Sequence, residues 1–232
     1  MHTVKISARD GAGQFDAFVW EPAARPAGAI VLIQEIFGVN DALRETGAQL
    51  AAMGFLTVAP DLFWRIEPGV NITDKSDAEW KRAFALMNAF NQDKGVEDLK
   101  ATLAAARTLP GSNGKVATMG FCLGGRLAFM MAARSDADLN ISYYGVGIDG
   151  LLDELPNVRN RLLLHIAAAD EYVPPEAQAK IVAATKGKPH IETYVYPGVM
   201  HAFARVNGIH YDALSATIAN GRSAAALAEC LR

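Results

Sequence analysis

The sequence predicts an α/β fold: a mainly parallel central sheet with helices on both faces and an antiparallel hairpin at one sheet edge. Three observations predict it. From residue 28 onward, short continuous apolar runs alternate with longer helix-like runs, as in sheets whose strands are buried on both faces. The first 20 residues differ, with two short alternating runs around Asp10-Gly11-Ala12-Gly13, a hairpin turn composition. At 232 residues, 51% of them apolar and 20% charged, the chain is long enough for one sizeable core, and a single domain over residues 1–232 is expected.

Residues 28–34 (GAIVLIQ) read as a buried strand. Residues 41–53 read as a helix stopped by Gly54, a C-cap residue. Residues 56–59 form a second buried strand, and residues 96–109 a helix that Pro110-Gly111 ends. A strand over 115–120 leads into a helix over 123–133, and a strand over 140–144 follows. Residues 161–168 (RLLLHIAA) are a strand, 175–185 a helix opening on prolines, 190–196 a strand, and the last 20 or so residues a helix.

Several function classes are set aside. The net charge is −3, with no basic stripe to bind nucleic acid and no polybasic helix for a membrane surface. No apolar run approaches the ~20 residues that span a bilayer, and the opening MHTVKISARDGAG lacks a signal-like apolar core. The two cysteines, Cys122 and Cys230, have no metal-ligand or dithiol spacing. A reduced, cytoplasmic, monomeric protein that needs no metal or cofactor is expected.

Sheets of this type bind ligands beyond the carboxyl ends of their strands. That rule selects residues 35–38, 120–125, 170–174 and 198–205. Residues 120–124 read Gly-Phe-Cys-Leu-Gly between a buried strand and an apolar helix. This is the nucleophile-elbow pattern of α/β-hydrolases, with cysteine in the serine position. The helix N-terminus favours a thiolate at Cys122, and the Leu123 amide can hold a developing oxyanion. Cys230 has no such setting.

The fold requires an acid and then a histidine after the nucleophile. His2 precedes it, His165 lies inside an apolar strand, His190 opens a strand and His210 comes late; His201, in a turn-rich loop after a strand, is the best base by position. Asp170 ends the preceding strand and can orient the imidazole, or could be a turn residue before Pro174 and the helix. Asp149 and Asp153 stay open as rival acids. Glu35 follows an apolar strand and is either a solvated strand-end residue or a functional one.

The segments QEIFGVN (34–40), APDL (59–62), GFCLGG (120–125), YYGVG (143–147) and HAFAR (201–205) resemble the dienelactone hydrolase, or carboxymethylenebutenolidase, family over essentially the whole chain. The resemblance implies an α/β-hydrolase fold and cofactor-free opening of lactones in aromatic degradation. It implies Cys122 as nucleophile, His201 as base, Asp170 as its orienter and oxyanion donors in the backbone of Leu123 and Ile36. It gives Glu35 the resting thiol's proton, and Arg205 a substrate carboxylate. Phe37, Tyr143, Trp80 and Arg82 complete the expected substrate contacts. Family members use a second arginine where this chain aligns Trp80, with Lys81 and Arg82 adjacent, and Ala202 replaces a common serine. The expected substrate is therefore a small lactone or ester, carboxylate-bearing ones included. The alternatives are other esters or thioesters, or a non-catalytic thiol sensor.

Overall fold

A computed structural model describes residues 1–232. It contains eight strands in the order β1-β2-β4-β3-β5-β6-β7-β8. They are β1 (His2–Ser7), β2 (Gln14–Trp20), β3 (Ala27–Ile33), β4 (Leu56–Pro60), β5 (Ser112–Phe121), β6 (Leu139–Tyr143), β7 (Arg161–Ala167) and β8 (Ile191–Tyr196). The helices are α1 (Asp41–Ala52), α2 (Asp77–Ala89), α3 (Gln92–Thr108), α4 (Leu123–Arg134), α5 (Pro175–Thr185) and α6 (Ala213–Cys230). The sheet is mostly parallel, as its composition predicts. The chain divides into two compact units, residues 1–117 with 231–232, and residues 118–230.

In the first unit, β1 and β2 form the expected hairpin, paired from His2↔Val19 to Ser7↔Gln14. β2 runs antiparallel to β4, and β3 pairs with β4 in parallel. All seven residues of β3 are buried, which is why its sequence is a continuous apolar run rather than an alternating one. Helix α3 starts at Gln92, four residues ahead of its apolar pattern, because the Asn91 side chain accepts the Lys94 amide and caps it. Arg65 pairs with the buried Asp98 at 2.7 Å and with Asp10 at 3.0 Å, and Trp64 Nε1 donates to Asp98 at 2.9 Å, so the loop after β4 is tied to α3.

In the second unit, β6, β7 and β8 pair in parallel. Leu162, Leu164 and Ile166 of β7 pack with Phe129 of α4, Ile181 of α5 and Ile191. The stretch after Tyr143-Tyr144-Gly145 contains a 3₁₀ segment, Ile148–Asn157, with Pro156 inside it. It forms because Ile148 and Leu155 reach the same apolar cluster while its polar residues stay outside. No helix is long and apolar enough to cross a membrane.

Candidate active site

Cys122 stands between β5 and α4 with φ 55° and ψ −115°, a conformation that costs an L-residue of order 1–3 kcal/mol. The surroundings enforce it. The Cys122 amide donates to the Tyr143 carbonyl at 3.0 Å, and its carbonyl accepts the Arg126 amide at 3.1 Å. The flanking glycines are needed for space: a Cβ on Gly120 would lie 2.0 Å from the Gly124 carbonyl oxygen, and one on Gly125 2.5 Å from that of Tyr143. Leu123 is the first residue of α4, so its amide has no acceptor within the helix and is available at the positive end of the dipole.

The ends of β7 and β8 bring the acid to the histidine. The Ala168 amide donates to the Tyr196 carbonyl and the Ala169 amide to that of Val199, both at 2.9 Å. His201 Nδ1 lies 2.8 Å from Asp170 Oδ2, and both residues are buried. The other carboxylate oxygen, Oδ1, accepts the Tyr172 amide at 2.8 Å. Two aromatic rings meet the imidazole edge-on: Tyr144 at 5.0 Å and Tyr172 at 4.9 Å between centroids. His201 Nε2 is buried with no partner in hydrogen-bond geometry, but it feels the Cys122 sulfur. Burial opposes protonation of the ring; the neighbouring Cys122 first, and then Asp170, more than offset it and raise the imidazole to about 10. The arrangement therefore favours a protonated imidazole at His201.

The rival acids are placed elsewhere. Asp149 and the exposed Asp153 both lie on the 3₁₀ segment. His165 is the core histidine its apolar context predicts. Its Nδ1 lies 2.8 Å from the Tyr196 hydroxyl and its Nε2 3.0 Å from Ser223 Oγ. Tyr143, expected as a substrate contact, belongs to this second network instead. It is buried, and its hydroxyl donates to Asn220 Oδ1 at 2.9 Å and meets Ser223 Oγ at 2.7 Å. β6 ends at Tyr143, and Tyr144 turns into the left-handed region at φ 38°. The tyrosine that reaches His201 is thus the second of the pair. Tyr172, which reaches it from the other side, carries no motif signal beyond standing two residues after Asp170.

In the first unit, Glu35 and Ile36 follow β3 and are buried. Phe37 meets Trp80 edge-on at 5.1 Å, and Trp80 stacks on Phe84 at 5.6 Å while its Nε1 donates to the Asp74 carbonyl at 2.9 Å. Arg82 is half-exposed and paired with Glu67. Arg205, in the second unit, is part-buried four residues after His201. No group of three or more His, Cys, Asp or Glu side chains is arranged to hold a metal ion.

The sequence model of the Dienelactone hydrolase family matches residues 15–231. The chain belongs to the dienelactone hydrolase family. It is 51% identical over 229 residues to a protein of Azospirillum brasilense, covering 97% of each chain. It is 39% identical over 225 residues to carboxymethylenebutenolidase 1 of Cupriavidus pinatubonensis, covering 97% of this chain and 95% of that one. A Klebsiella pneumoniae subsp. pneumoniae crystal structure shares the fold with a TM-score of 0.83 at 24% identity, over 98% of both chains. As a member of the dienelactone hydrolase family, this protein is a hydrolase of carboxylic esters, lactones among them.

Proposed function

We propose that this hydrolase opens a small lactone or ester by acyl transfer to Cys122, with His201 as general base and acid and Asp170 as its orienter. The observation that carries the reading is the 2.8 Å contact between His201 Nδ1 and Asp170 Oδ2 in the strand order that places Cys122 at a strained elbow. Asp170 holds the imidazole in the tautomer that aims Nε2 at the sulfur.

The thiolate attacks the carbonyl carbon, and the carbonyl π pair moves to oxygen, where the Leu123 amide stabilises it. Collapse expels the ring or alkoxy oxygen, which takes the proton from His201 and leaves an acyl thioester. Water, deprotonated by His201, then attacks the thioester and releases the carboxylic acid and the thiolate. On the family resemblance, the Ile36 amide is the second oxyanion donor and Glu35 removes the resting thiol's proton. A thiol stored protonated resists oxidation. Arg205 suits a carboxylate on the substrate. Trp80, standing where family members carry a second arginine, favours a second reading in which neutral esters or thioesters are turned over by the same chemistry. The family match running unbroken from residue 15 to 231 supports treating the chain as one hydrolase domain, and its two free cysteines suit a reducing, cytoplasmic setting.

Iodoacetamide tests the nucleophile. Activity should fall in step with carbamidomethylation of Cys122, and labelling of Cys230 should leave turnover in place. A fully Cys122-labelled enzyme that still hydrolyses 4-nitrophenyl acetate would refute the assignment.

A further inference from the structure

Residues 34–40 are all buried, yet they lie outside both sheet strands and helices. Backbone groups in such a stretch have no regular ladder to join and must be held by other means. Two side chains of the stretch do part of that work, one at each end. At the first end, Gln34 Oε1 accepts the Leu62 amide at 3.0 Å, which ties the exit of β3 to the loop after β4. At the other end, Asn40 uses both polar atoms of its side chain. Its Oδ1 accepts the Leu43 amide at 3.1 Å and caps α1, and its Nδ2 donates to the Ile72 carbonyl at 3.0 Å. Beside that bond the two segments run as a short antiparallel pair. The Ile72 amide donates to the Phe37 carbonyl at 3.2 Å, and Gly38 bridges Asn71. The approach is so close that a Cβ on Gly38 would lie 2.0 Å from the Val70 carbonyl oxygen. Between the two ends stand Glu35 and Ile36.

From this clamp we infer that Asn40 is a positioning residue for the hydrolysis: by joining the start of α1 to Ile72, it fixes the backbone of residues 35–37 and with it the aim of the Ile36 amide. The inference rests on the reading above in which that amide is an oxyanion donor. Such a donor must be preset, because the charge it meets develops only on the way to the transition state. The direction of an amide N–H follows from the torsions on either side of its planar peptide. In a strand the neighbouring strands fix those torsions; here the Asn40 side chain does so from the far end of the stretch. Asn40 is 7% exposed, so water is a poor substitute for its donor. A serine or an aspartate would cap α1 as well as asparagine does. Neither, at neutral pH, would give the Ile72 carbonyl an amide donor. Asparagine joins the two elements because it carries an acceptor and a donor on separate atoms.

The test compares the full-length wild type with Asn40→Ser and Asn40→Asp on 4-nitrophenyl acetate and on its thionoacetate, in which C=S replaces C=O. An N–H donor stabilises a developing O⁻ far better than a developing S⁻. The ratio of kcat/KM, ester over thionoester, therefore reads the aim of the oxyanion donors and does not depend on how much of the protein is folded. Asn40→Ser should lower kcat/KM on the ester about tenfold, less than the loss from deleting an oxyanion donor outright, and should lower the ratio by a similar factor. Asn40→Asp should do the same at neutral pH. Its ratio should then climb back toward the wild-type value as pH falls toward ~4, where an aspartate carboxyl takes up a proton and regains a donor for Ile72. Asn91→Ala, which removes the corresponding cap from α3, should leave the ratio within about twofold of wild type. Should Asn40→Ser fail to fold, Asn40→Asp carries the test alone. A ratio within about twofold of wild type in the Asn40 variants, whether or not the separate rates fall, overturns the inference. So does an Asn40→Asp ratio that stays low on acidification. Failure of the function itself looks different: wild-type ester turnover that does not depend on Cys122 removes both proposals, whereas Cys122-dependent turnover with an unmoved ratio removes only this one.

Discussion

The second unit buries two histidines, and they have opposite fates. His165 and His201 are 1% and 3% exposed. Each has Nδ1 2.8 Å from an oxygen, each sits among tyrosine rings, and a single small cavity is lined by both His165 and Asp170. Burial alone disfavours an imidazolium in both places. At His165 it prevails, and with Arg222 nearby it pushes the ring down to about 3. At His201 it is overcome, and the ring rises to about 10. The difference lies in the partners. Those of His165 are hydroxyls, which have no negative charge to offer. Those of His201 are a carboxylate and a sulfur that can ionise. On the proposed mechanism, the buried histidine whose partners can carry charge does the chemistry, and the one whose partners cannot holds the fold.

The hydroxyl network also fixes the direction of each proton at His165. Arg222 donates to the Tyr196 hydroxyl at 3.0 Å. With that oxygen accepting, the Tyr196 proton goes to His165 Nδ1, so the ring carries its own proton on Nε2 and donates to Ser223. At the far end Tyr143 donates to Asn220, so it accepts from Ser223. Every donor from Arg222 to Tyr143 has an acceptor, and no group needs to ionise.

The largest test of the contrast exchanges the consequences. His201→Ala and Asp170→Asn should each lower kcat by ~10³–10⁴-fold, the scale of triad disruption. His165→Leu should do the reverse: folded enzyme retains turnover within about threefold, while stability falls by about 2–4 kcal/mol as Ser223 and Tyr196 lose buried partners. Paired kinetics and urea denaturation decide it. If His165→Leu is the variant that abolishes turnover in folded protein, the roles given to the two histidines are exchanged.

Acidity sharpens the same contrast. His165 has a folded pKa of about 3, below the ~6.5 of the unfolded chain. The unfolded state therefore binds the extra proton as pH falls, and the stability contributed by neutral His165 is complete above ~6.5 and lost on the way down to 3. His201 has its folded value raised to about 10; its contribution is complete below ~6.5 and is lost as pH rises toward 10. Denaturation profiles across pH should show the stability gap between wild type and His165→Leu narrowing as pH falls from 6.5 to 4, by at most ~1.4 kcal/mol per pH unit. The gap to His201→Ala should narrow in the opposite direction, from pH 7 to 9. A gap that stays constant on the acid side would show that His165 does not stay neutral in the fold.

These two histidines also mark how far the sequence could be read. RLLLHIAA has no polar alternation, which says that His165 is inside; His201 follows a strand in a turn-rich loop, which places it at the carboxyl edge of the sheet. Patterning of that kind carries burial and strand order, and so the hairpin, the eight strands and the positions of Cys122, Asp170 and His201 were legible. What patterning lacks is direction at the scale of one residue. Tyr143 and Tyr144 are identical in type, and only the left-handed turn at Tyr144 decides which ring meets His201. Arg82 looked available because Glu67 is 15 positions away in sequence, yet the two are paired. Tyr172 has no signature at all, since its place depends on a backbone bond to Asp170. The 3₁₀ segment Ile148–Asn157 is held by two buried side chains, Ile148 and Leu155, with Pro156 inside it, and no periodic pattern in the sequence announces it.

The smallest expected effect concerns what keeps His165 neutral. Burial is the larger cause and the Arg222 charge the smaller. Arg222 lies over the Tyr194 ring at 4.1 Å as well as donating to Tyr196, so Arg222→Met removes the cation while leaving an apolar stem of similar reach. Tyr196 loses an incoming hydrogen bond but keeps its own proton on Nδ1, so the order of donors beyond it is undisturbed. The change in stability should be about 1 kcal/mol or less at neutral pH, near the value of one hydrogen bond. In ¹⁵N-edited NMR spectra the His165 ring should remain the neutral Nε2–H tautomer down to pH 5, as in the wild type. An imidazolium signal from His165 at pH 5 in Arg222→Met would show that the cation, and not burial among hydroxyls, separates the structural histidine from the reactive one.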